Sequence, residues 1–595
     1  MLIIKNIEVD PPDAPNDGSA RVTCRCTVFT PNERARITAV RLDLSPLGLA
    51  AEHPLSPTDH VLPGTAEGVY ETSWPVPLLT EPGHYELPLF ALDSEGAAGR
   101  QKAPLRVDYR RPAYPSAVQH PDNRRALETI AAAPLTAGNR VTILDDGRAA
   151  FDTRLAMIES ATRQINLQSY TLSDEGESER LVKALLAKAE AGVEVNVLLN
   201  ADTQLPSSPI GTLRLRFQKL LLDLQLLGQK IEAHLADESN ESVVAVLMRQ
   251  WQQNQRGINL LMFSGQLLRD AGIVSPRGGD QPPAIWLQKM RQDRTPETRE
   301  AKDRLTVFNG PGGLPALPLL DFAIHEKILV IDGERAIIGG RNIDDRYFFR
   351  WLDMDLLLTG PLVHHVQQGF LHSFRTFSAG NANVQQPTAL LQADKPTGEV
   401  EAQFIQSRPW RGEYQAMRAL ISALQMARDH VFISSQYVIL PDCLLRDALL
   451  DAARRGVEIR ILTNSYRTCQ EVGFSTGYLV SLNYLPALLA EKIRLFEIDG
   501  HEIDGQPQPY LHVKEFLIDG ELALVGSFNL SIRSCYIESE NLIAIHHPAT
   551  VVDLEERFLR RQSAQASEIT AARWSEINRQ HKSKIELARY AELLY

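Results

Sequence analysis

The chain has 595 residues, which is too long for one compact domain and predicts two to four domains. Apolar residues make up 44% and charged residues 23%, so the composition excludes collagen-like, coiled-coil and wholly disordered proteins. The formal net charge of −12 and the lack of basic runs disfavour stable binding of nucleic acid. The five cysteines are scattered without zinc-site spacing, which suits reduced thiols.

The N-terminal sequence MLIIKNIEVDPPDAP has no basic region, long apolar run or small-residue cleavage site, so we expect no secretory signal. Every apolar stretch is interrupted well before the length that a transmembrane helix needs. We therefore expect a cytoplasmic or peripheral membrane protein. Export by a dedicated secretion machine stays open.

Residues 1–110 contain short runs of alternating apolar and polar residues between turn-forming clusters, which predict a β-sandwich. The run GHYELPLFALDSEG, which begins at Gly83, resembles the penultimate hairpin of immunoglobulin-like domains. The proline-rich sequence from Arg110 to Pro121 predicts an extended linker, and we place the whole linker over 111–136.

Beyond this linker the sequence repeats itself, with a first copy over 137–380 and a second over 398–562. In each copy a helix, a β-rich run and a second helix lead to a glycine, Gly192 or Gly456, and then to an apolar strand. This order predicts α/β repeats, each with a mixed, largely parallel sheet flanked by helices. The first copy is longer, which predicts a helical insertion near 203–302. We also predict a linker over 381–397 and a helical tail over 563–595.

Each repeat ends in the same pattern of polar residues. The first reads HEKILVIDG from His325 and then GGRN up to Asn342, and the second reads HVKEFLIDG from His512 and then GSFN up to Asn529. Both are H-x-K-x-x-x-x-D followed by G-G/S-x-N at equal spacing. On a strand, alternate side chains share a face, so each histidine should project with the lysine two positions later.

This pattern suits displacement at a phosphodiester, which needs a nucleophile on one side and a proton donor on the other. The two histidines supply both, while Lys327 and Lys514, with the amides of Asn342 and Asn529, would bind the phosphate oxygens. The layout requires neither a metal nor a cofactor. Asp332 and Asp519 are also candidate catalytic residues, although the glycine after each favours a structural role in a hairpin turn.

The doubled motif resembles the phospholipase D superfamily over roughly residues 137–562. The run GGRNIDDRYF, followed by WLD and GP, resembles the cardiolipin synthase branch. The resemblance implies a pseudo-symmetric, bilobal α/β fold and a covalent phosphohistidine, with His325 as nucleophile and His512 as proton donor.

The same resemblance implies an acidic residue downstream of each motif that supports its histidine. Asp353 follows His325 by 28 positions, and Glu540 follows His512 by the same spacing. Asp355 and Glu538 stay open as competitors for these two roles.

We predict a phosphodiesterase or transphosphatidylase that acts on phospholipid at a membrane surface. One alternative is a nuclease of the same superfamily. Another is an exported effector or defence component in which residues 1–110 recognise a protein partner. Headgroup preference, hydrolysis against transfer, and oligomeric state stay open. Five further residues either line a lipid groove or pack in the core: Arg341, Tyr170, Tyr437, Tyr347 and Phe348.

Overall fold

The computed structural model describes residues 2–32, 34–58, 67–114, 117–173, 176–200, 258–263, 323–378, 386–390, 395–441, 443–498 and 510–588. The chain divides into two compact units. The first consists mainly of Met1–Tyr114, and the second contains most of both repeats.

The first unit is built from two sheets, with strand orders β1-β3-β7-β6 and β2-β9-β8-β4-β5. Alternate residues of its strands are buried, because only one face of each sheet meets the core. The free thiols of Cys24 and Cys26 lie in this core with Trp74. The expected β-rich unit is present, and its likeness to immunoglobulin domains stays a prediction. Its strands are β1 (Ile3–Asp10), β2 (Asp13–Pro15), β3 (Arg21–Phe29), β4 (Ile37–Leu42), β5 (His53–Pro54), β6 (Ser56–Pro57), β7 (Glu67–Pro75), β8 (Gly83–Asp93) and β9 (Ala98–Asp108), with a 3-10 turn at Ser45–Leu47.

The predicted linker over 111–136 contains a helix, α1 (Pro121–Ala131), which begins where the proline-rich stretch ends. Pro121 occupies the first turn, where its missing N–H costs nothing. Leu127 and Ala131 are buried one helical turn apart. The prolines therefore precede a helix instead of preventing one.

The first repeat forms one sheet with strand order β13-β12-β11-β15-β16-β18-β10. Its strands are β10 (Thr136–Leu144), β11 (Gln164–Ser169), β12 (Glu194–Asn200), β13 (Ile258–Phe263), β14 (Ala323–Ile324), β15 (Ile328–Ile331), β16 (Arg335–Gly339), β17 (Trp351–Leu352) and β18 (Asp355–Thr359). Its helices are α2 (Gly147–Ser160), α3 (Ser178–Glu190), α4 (Asp345–Phe349) and α5 (Leu362–Ser378).

The second repeat has the corresponding order β19-β28-β26-β25-β20-β22-β23, and β29 of the tail extends it. Its strands are β19 (Val400–Ser407), β20 (His430–Ser434), β21 (Val438–Ile439), β22 (Glu458–Asn464), β23 (Arg494–Ile498), β24 (Tyr510–Leu511), β25 (Glu515–Ile518), β26 (Leu522–Gly526), β27 (Leu530–Ser531), β28 (Glu538–Ile545) and β29 (Ala566–Glu568). Its helices are α6 (Gln415–Met426), α7 (Leu444–Arg454), α8 (Tyr466–Glu471), α9 (Ser475–Ser481), α10 (Leu485–Ala490), α11 (Ile532–Tyr536) and α12 (Pro548–Gln565), with a 3-10 turn at Pro409–Arg411 and α13 (Ala571–Ala588) in the tail.

The sheets are mixed, and the prediction that they are largely parallel is wrong. In the first repeat β11, β12 and β13 pair in parallel, whereas β11–β15, β15–β16, β16–β18 and β18–β10 are antiparallel. The second repeat pairs in the same way. The motif strand returns directly through a tight turn, and a direct return makes an antiparallel pair.

The two repeats join edge to edge, because β10 pairs with β19 to make one continuous sheet. Buried residues of both repeats, such as Ile338 and Leu356 of the first and Leu517 and Ile543 of the second, share one apolar core. The repeats are therefore halves of one folded body.

Within the predicted insertion the structure describes only β13, which pairs in parallel with β12, so this part of the insertion is a strand and not a helix. The segments predicted to be helical lie outside the described residues. None of the described helices is long and apolar enough to cross a membrane.

Candidate active site

Each motif histidine is anchored to the opposite repeat. The short strand before His325, β14, pairs in parallel with β28, and the strand before His512, β24, pairs in parallel with β17. The backbone N–H of His325 donates to the carbonyl oxygen of Ser539 at 3.1 Å, and that of His512 donates to Leu352 at 2.7 Å. This crossing brings the two motifs into one site.

The H-x-K segments lie between strands, so the prediction that they are strand residues is wrong. Residues 325–327 connect β14 to β15, and residues 512–514 connect β24 to β25. Each lysine Nζ nevertheless donates to the carbonyl oxygen of its own histidine. The expected pairing of histidine and lysine therefore arises from this local hydrogen bond.

The histidines exchange carboxylate partners across the repeats. Nδ1 of His325 lies 3.1 Å from both carboxylate oxygens of Glu540, and Nδ1 of His512 lies 2.6 Å from Oδ2 of Asp353. Both predicted acids are present, but the pairing within each repeat is wrong. Because β14 lies beside β28, and β24 beside β17, the nearest acid comes from the other half.

The two competing acids have other partners. Asp355 is fully buried between the guanidinium groups of Arg154 and Arg341, each 2.9 Å away. Glu538 pairs with Arg533 at 2.8 Å and lies 4.0 Å from Nδ1 of His325. These contacts leave Asp353 and Glu540 as the acids in hydrogen-bond contact with the histidines.

Each supporting carboxylate is held by its surroundings. Oδ1 of Asp353 accepts the N–H of Met354 at 2.8 Å, and Glu540 accepts hydrogen bonds from the hydroxyls of Ser527 and Ser534. A Cβ on Gly340 would lie 2.1 Å from Oδ1 of Asp353. This glycine therefore leaves room for the carboxylate of Asp353.

The two motif lysines and the two motif histidines are buried at the site. Burial lowers the pKa of Lys514 to about 7 and that of Lys327 to about 8. Burial also holds the pKa of His512 well below its ordinary value, and the charges of Lys514 and Lys327 act in the same direction. A phosphodiester anion placed here would meet the two lysine side chains with little competition from water.

The two motif asparagines have different surroundings. Oδ1 of Asn342 accepts the backbone N–H groups of Tyr170 and Thr171 at 3.2 and 3.4 Å. Asn529 is fully buried, and both polar atoms of its amide lack a partner in the part of the chain that the structure describes. An orphaned buried amide is costly, so it fits a group that binds a ligand.

The motif aspartates lie in the turns that end the motif strands, and their hydrogen bonds described below do not involve the motif histidines. Oδ1 of Asp332 accepts the N–H groups of Arg163 and Gln164 at 2.8 Å, and Asp519 accepts those of Asp429 and His430 at 2.9 Å. Both aspartates have positive φ, 54° and 53°. We therefore correct their assignment from catalytic to structural.

The aromatic candidates divide between the site and the core. The ring of Tyr170 lies 5.2 Å from that of His325, and the ring of Tyr347 lies 4.9 Å from that of His512. Phe348 packs in the core, and Tyr437 is partly buried against a smaller apolar cluster. Arg341 donates to the carbonyl oxygens of Leu144, Asp145 and Tyr347, so it has a structural role.

One group could hold a metal ion among the described residues: the ligand atoms of His325, Glu538 and Glu540 lie within 4.8 Å of one another. Arg533 already neutralises Glu538; although burial acts in the opposite direction, the guanidinium lowers the pKa of that carboxyl to about 2. The expectation that no metal is required stays a prediction.

The sequence interpretation missed three residues near the histidines, Glu326, Arg533 and Ser534. Glu326 accepts a hydrogen bond from Nε2 of Gln406 at 2.7 Å, and burial raises the pKa of its carboxyl to about 7. A difference between the two motifs could have pointed to Glu326, because the second motif has Val513 at this position. The other two carry no signal, because only the fold brings them to Glu538 and Glu540.

Comparison with known proteins identifies the family. A profile described as "Cardiolipin synthase, PLD-like domain" matches residues 155–374 and 420–562. Cardiolipin synthase A of Pseudomonas entomophila is 24% identical over 78% of this chain and 77% of its own length. Cardiolipin synthase of Listeria welshimeri is 28% identical over 43% of this chain and 54% of its own length.

Among solved structures, the chain is similar to a phosphatidylserine synthase of Haemophilus influenzae. The two sequences are 12% identical, and the alignment covers 79% of this chain and 99% of the other, with a TM-score of 0.48. The profile match spans more than half of the sequence and includes both motif histidines. The chain therefore belongs to the cardiolipin synthase, PLD-like domain family, and is a phospholipase D-like enzyme.

Proposed function

We propose that the chain transfers or hydrolyses phosphatidyl groups of phospholipids at a membrane surface, through a covalent phosphohistidine. The observation that carries this proposal is the pair of histidines whose Nδ1 atoms contact carboxylates of the opposite repeat, next to two buried lysines. With Nδ1 engaged, Nε2 of each ring is left for chemistry. The names of the cardiolipin synthase relatives support phospholipid as the substrate class.

In the first step, the Nε2 lone pair of His325 attacks phosphorus, and the bond from phosphorus to the leaving alcohol oxygen breaks. His512 gives its Nε2 proton to that oxygen. The negative charge of the bound phosphodiester favours the protonated form of His512 and so opposes the effect of burial on its pKa. Lys327, Lys514 and the amide of Asn529 stabilise the charge on the non-bridging oxygens.

In the second step, an acceptor hydroxyl attacks phosphorus and gives its proton to Nε2 of His512. The bond from phosphorus to His325 breaks and restores both rings. With water as acceptor the product is a phosphatidic acid, and with an alcohol it is a new phosphodiester. Asp353 and Glu540 stabilise the imidazolium forms that arise at His512 and His325.

The test is mass-spectrometric analysis of lipid products after incubation with mixed phospholipid vesicles, with and without glycerol. We expect a new phosphodiester or phosphatidic acid from the natural chain, and loss of product by about two orders of magnitude or more in H325A and in H512A. Cleavage of single-stranded DNA or RNA without any change in phospholipid would reject the proposal in favour of a nuclease.

The roles of the two histidines are tested by acid-quench trapping with a substrate that has a good leaving group. We expect labelled phosphate on His325, accumulating in H512A and absent from H325A. Label recovered only on His512 would reverse the roles. Inversion at phosphorus in a single turnover, with no phosphohistidine under any quench, would reject the covalent route.

A further inference from the structure

A cavity of about 230 Å³ lies beside the pair of His512 and Asp353. Charged and apolar side chains line it, and three of them are arginines of α12. The lining residues are Asp145, Leu352, Asp353, Val513, Arg557, Arg560 and Arg561.

The arginines differ in how far their charge is already neutralised. Arg557 pairs with Asp145 and Asp553, and Arg561 pairs with Glu515. The Nε of Arg561 is buried without a hydrogen-bond partner among the described residues. Arg560 is exposed and makes no ion pair with any residue that the structure describes. One whole guanidinium and one buried N–H are therefore left for a ligand.

The pseudo-symmetry of the two repeats shows that the fold does not require these arginines. Helix α5 of the first repeat corresponds to α12 of the second. Gln367 of α5 hydrogen-bonds to Gln164 at the start of β11. In the same way, Glu555 of α12 hydrogen-bonds to His430 at the start of β20. Phe370 and Phe558 are fully buried at equivalent positions in this register.

In the same register, α5 carries small or weakly basic residues where α12 carries arginine. Gly369 corresponds to Arg557, His372 to Arg560, and Ser373 to Arg561. Both helices cover the same kind of sheet, so packing alone does not explain three arginines on one of them.

We propose that this cavity, which borders the second motif at Val513, binds a phosphate group, as a phosphomonoester or phosphodiester, at a site separate from the motif lysines. Guanidinium groups bind phosphate oxygens through parallel, charge-assisted hydrogen bonds, and Arg560 and Arg561 are adjacent on the helix. Leu352 and Val513 form an apolar wall beside these guanidinium groups, which suits the carbon atoms of an organic phosphate. The phosphate comes either from a lipid headgroup or from a soluble compound.

The first experiment counts inorganic phosphate bound to the full-length chain by isothermal titration calorimetry at constant ionic strength. The natural chain is expected to bind two equivalents, one at the motif lysines and one in the cavity. K327M/K514M should keep only the cavity site. R560Q in that background should weaken the remaining site by about tenfold or more, as expected for loss of a charged hydrogen-bond donor.

The matched control is R579Q, which removes the same charge from an exposed position on α13 and should leave both sites unchanged. R560Q is the primary variant because Arg560 is exposed, whereas R561Q would remove the ion-pair partner of the buried Glu515. K327M/K514M binding no phosphate, or binding it equally well with and without R560Q, would overturn the proposal.

The second experiment distinguishes the two sources of phosphate. Flotation compares phosphatidylcholine vesicles that contain phosphatidic acid with vesicles of phosphatidylcholine alone. If a lipid headgroup occupies the cavity, R560Q reduces binding to the acidic vesicles and R579Q does not. If a soluble compound occupies it, R560Q lowers phosphate affinity while binding to both kinds of vesicle stays equal to that of the natural chain.

Discussion

The contact between each histidine and its carboxylate determines which ring nitrogen is available for chemistry. Asp353 accepts from Nδ1 of His512, and Glu540 accepts from Nδ1 of His325. The proton at Nδ1 leaves Nε2 of a neutral ring unprotonated, as attack requires, and the carboxylate charge stabilises the ring when Nε2 takes up a proton. Since each pair joins the two repeats, a change in one half should alter the histidine of the other.

We predict that D353N perturbs His512 and leaves His325 unchanged. Asparagine fits the same space but removes the charge that stabilises the imidazolium, so turnover should fall by about 10²-fold. Histidine side-chain nitrogen signals in labelled protein would report the affected ring. E540Q is the matched variant and should perturb His325 instead. A shift of the His325 signals in D353N, without one at His512, would contradict the crossed pairing.

The two asparagines provide a second prediction at this scale. N529A should lower kcat/KM by about 10²-fold, because its unpartnered amide is free to stabilise the transition state. Its free energy of unfolding should stay equal or rise slightly, because a buried amide without a partner is removed. N342A should instead destabilise the fold by about 1–3 kcal/mol, since it leaves the N–H groups of Tyr170 and Thr171 without their acceptor. Denaturant unfolding and steady-state kinetics separate the two effects, and an N529A chain that loses stability but keeps its activity would disprove this assignment.

The buried lysines predict opposite pH dependences for activity and stability. As the pH rises through about 7 to 8, Lys514 and then Lys327 lose the charge that binds phosphate, so kcat/KM should fall. Unfolded lysine keeps its proton up to about pH 10.4. The unfolded chain therefore binds more protons across this window, and the free energy of unfolding should rise with pH.

The control for this prediction is K514M. Removing one lysine should reduce the slope of unfolding free energy against pH by up to about 1.4 kcal/mol per pH unit in that window. An unchanged slope would mean that Lys514 does not have a lowered pKa in the folded chain.

At the scale of the element, the aspartate in the turn after each motif strand accepts hydrogen bonds from the backbone at the start of an adjacent strand, β11 or β20. The Asp332 carboxylate accepts the backbone N–H groups of Thr162, Arg163 and Gln164, which lead into β11, and also the hydroxyl of Thr162. Although burial acts in the opposite direction, the N–H groups of Gln164 and its neighbours lower the pKa of Asp332. This stabilisation is present above the ordinary pKa of an aspartate and is lost as the pH falls through the lowered value.

We predict that D332A lowers the free energy of unfolding by about 3 kcal/mol, from the loss of charged hydrogen bonds and the cost of a positive φ for alanine. D332N is the control, because asparagine accepts hydrogen bonds and tolerates positive φ, and it should retain most of the stability. The folded fraction of both variants should keep near-normal turnover. A loss of turnover in D332N equal to that of H325A would restore Asp332 to the catalytic group.

The elements that could be predicted from the sequence are those whose signal is local. The alternation of apolar and polar residues predicted the strands of the first unit, and the doubled motif identified His325 and Lys327 as residues of the candidate site. Parallel pairing could not be excluded, because β-rich runs between helices look alike in parallel and mixed sheets. Helix α1 was missed because the prolines before it outweighed the helical spacing within it. The crossed carboxylates depend on which strands are neighbours, and spacing along the chain does not record that.

At the scale of the whole molecule, the two sequence repeats fold into a single body with a shared core and a shared sheet. The two short strands that cross between the repeats complete each half with backbone from the other. Neither half has a histidine with its own supporting acid. Duplication in this fold therefore produces one site from two halves of the same chain.

This arrangement predicts that active-site variants cannot complement one another. His325 contacts Glu540 and His512 contacts Asp353 within a single chain, so every chain carries a complete site whatever its oligomeric state. H325A and H512A, mixed after separate purification or produced together in one cell, should show only the sum of their residual activities. A site assembled between two chains would instead regain up to about a quarter of normal activity, because random pairing gives each dimer one intact combination half of the time. Lipid turnover measured across mixing ratios tests this: a linear dependence supports the single-chain site, and a maximum near equal proportions rejects it.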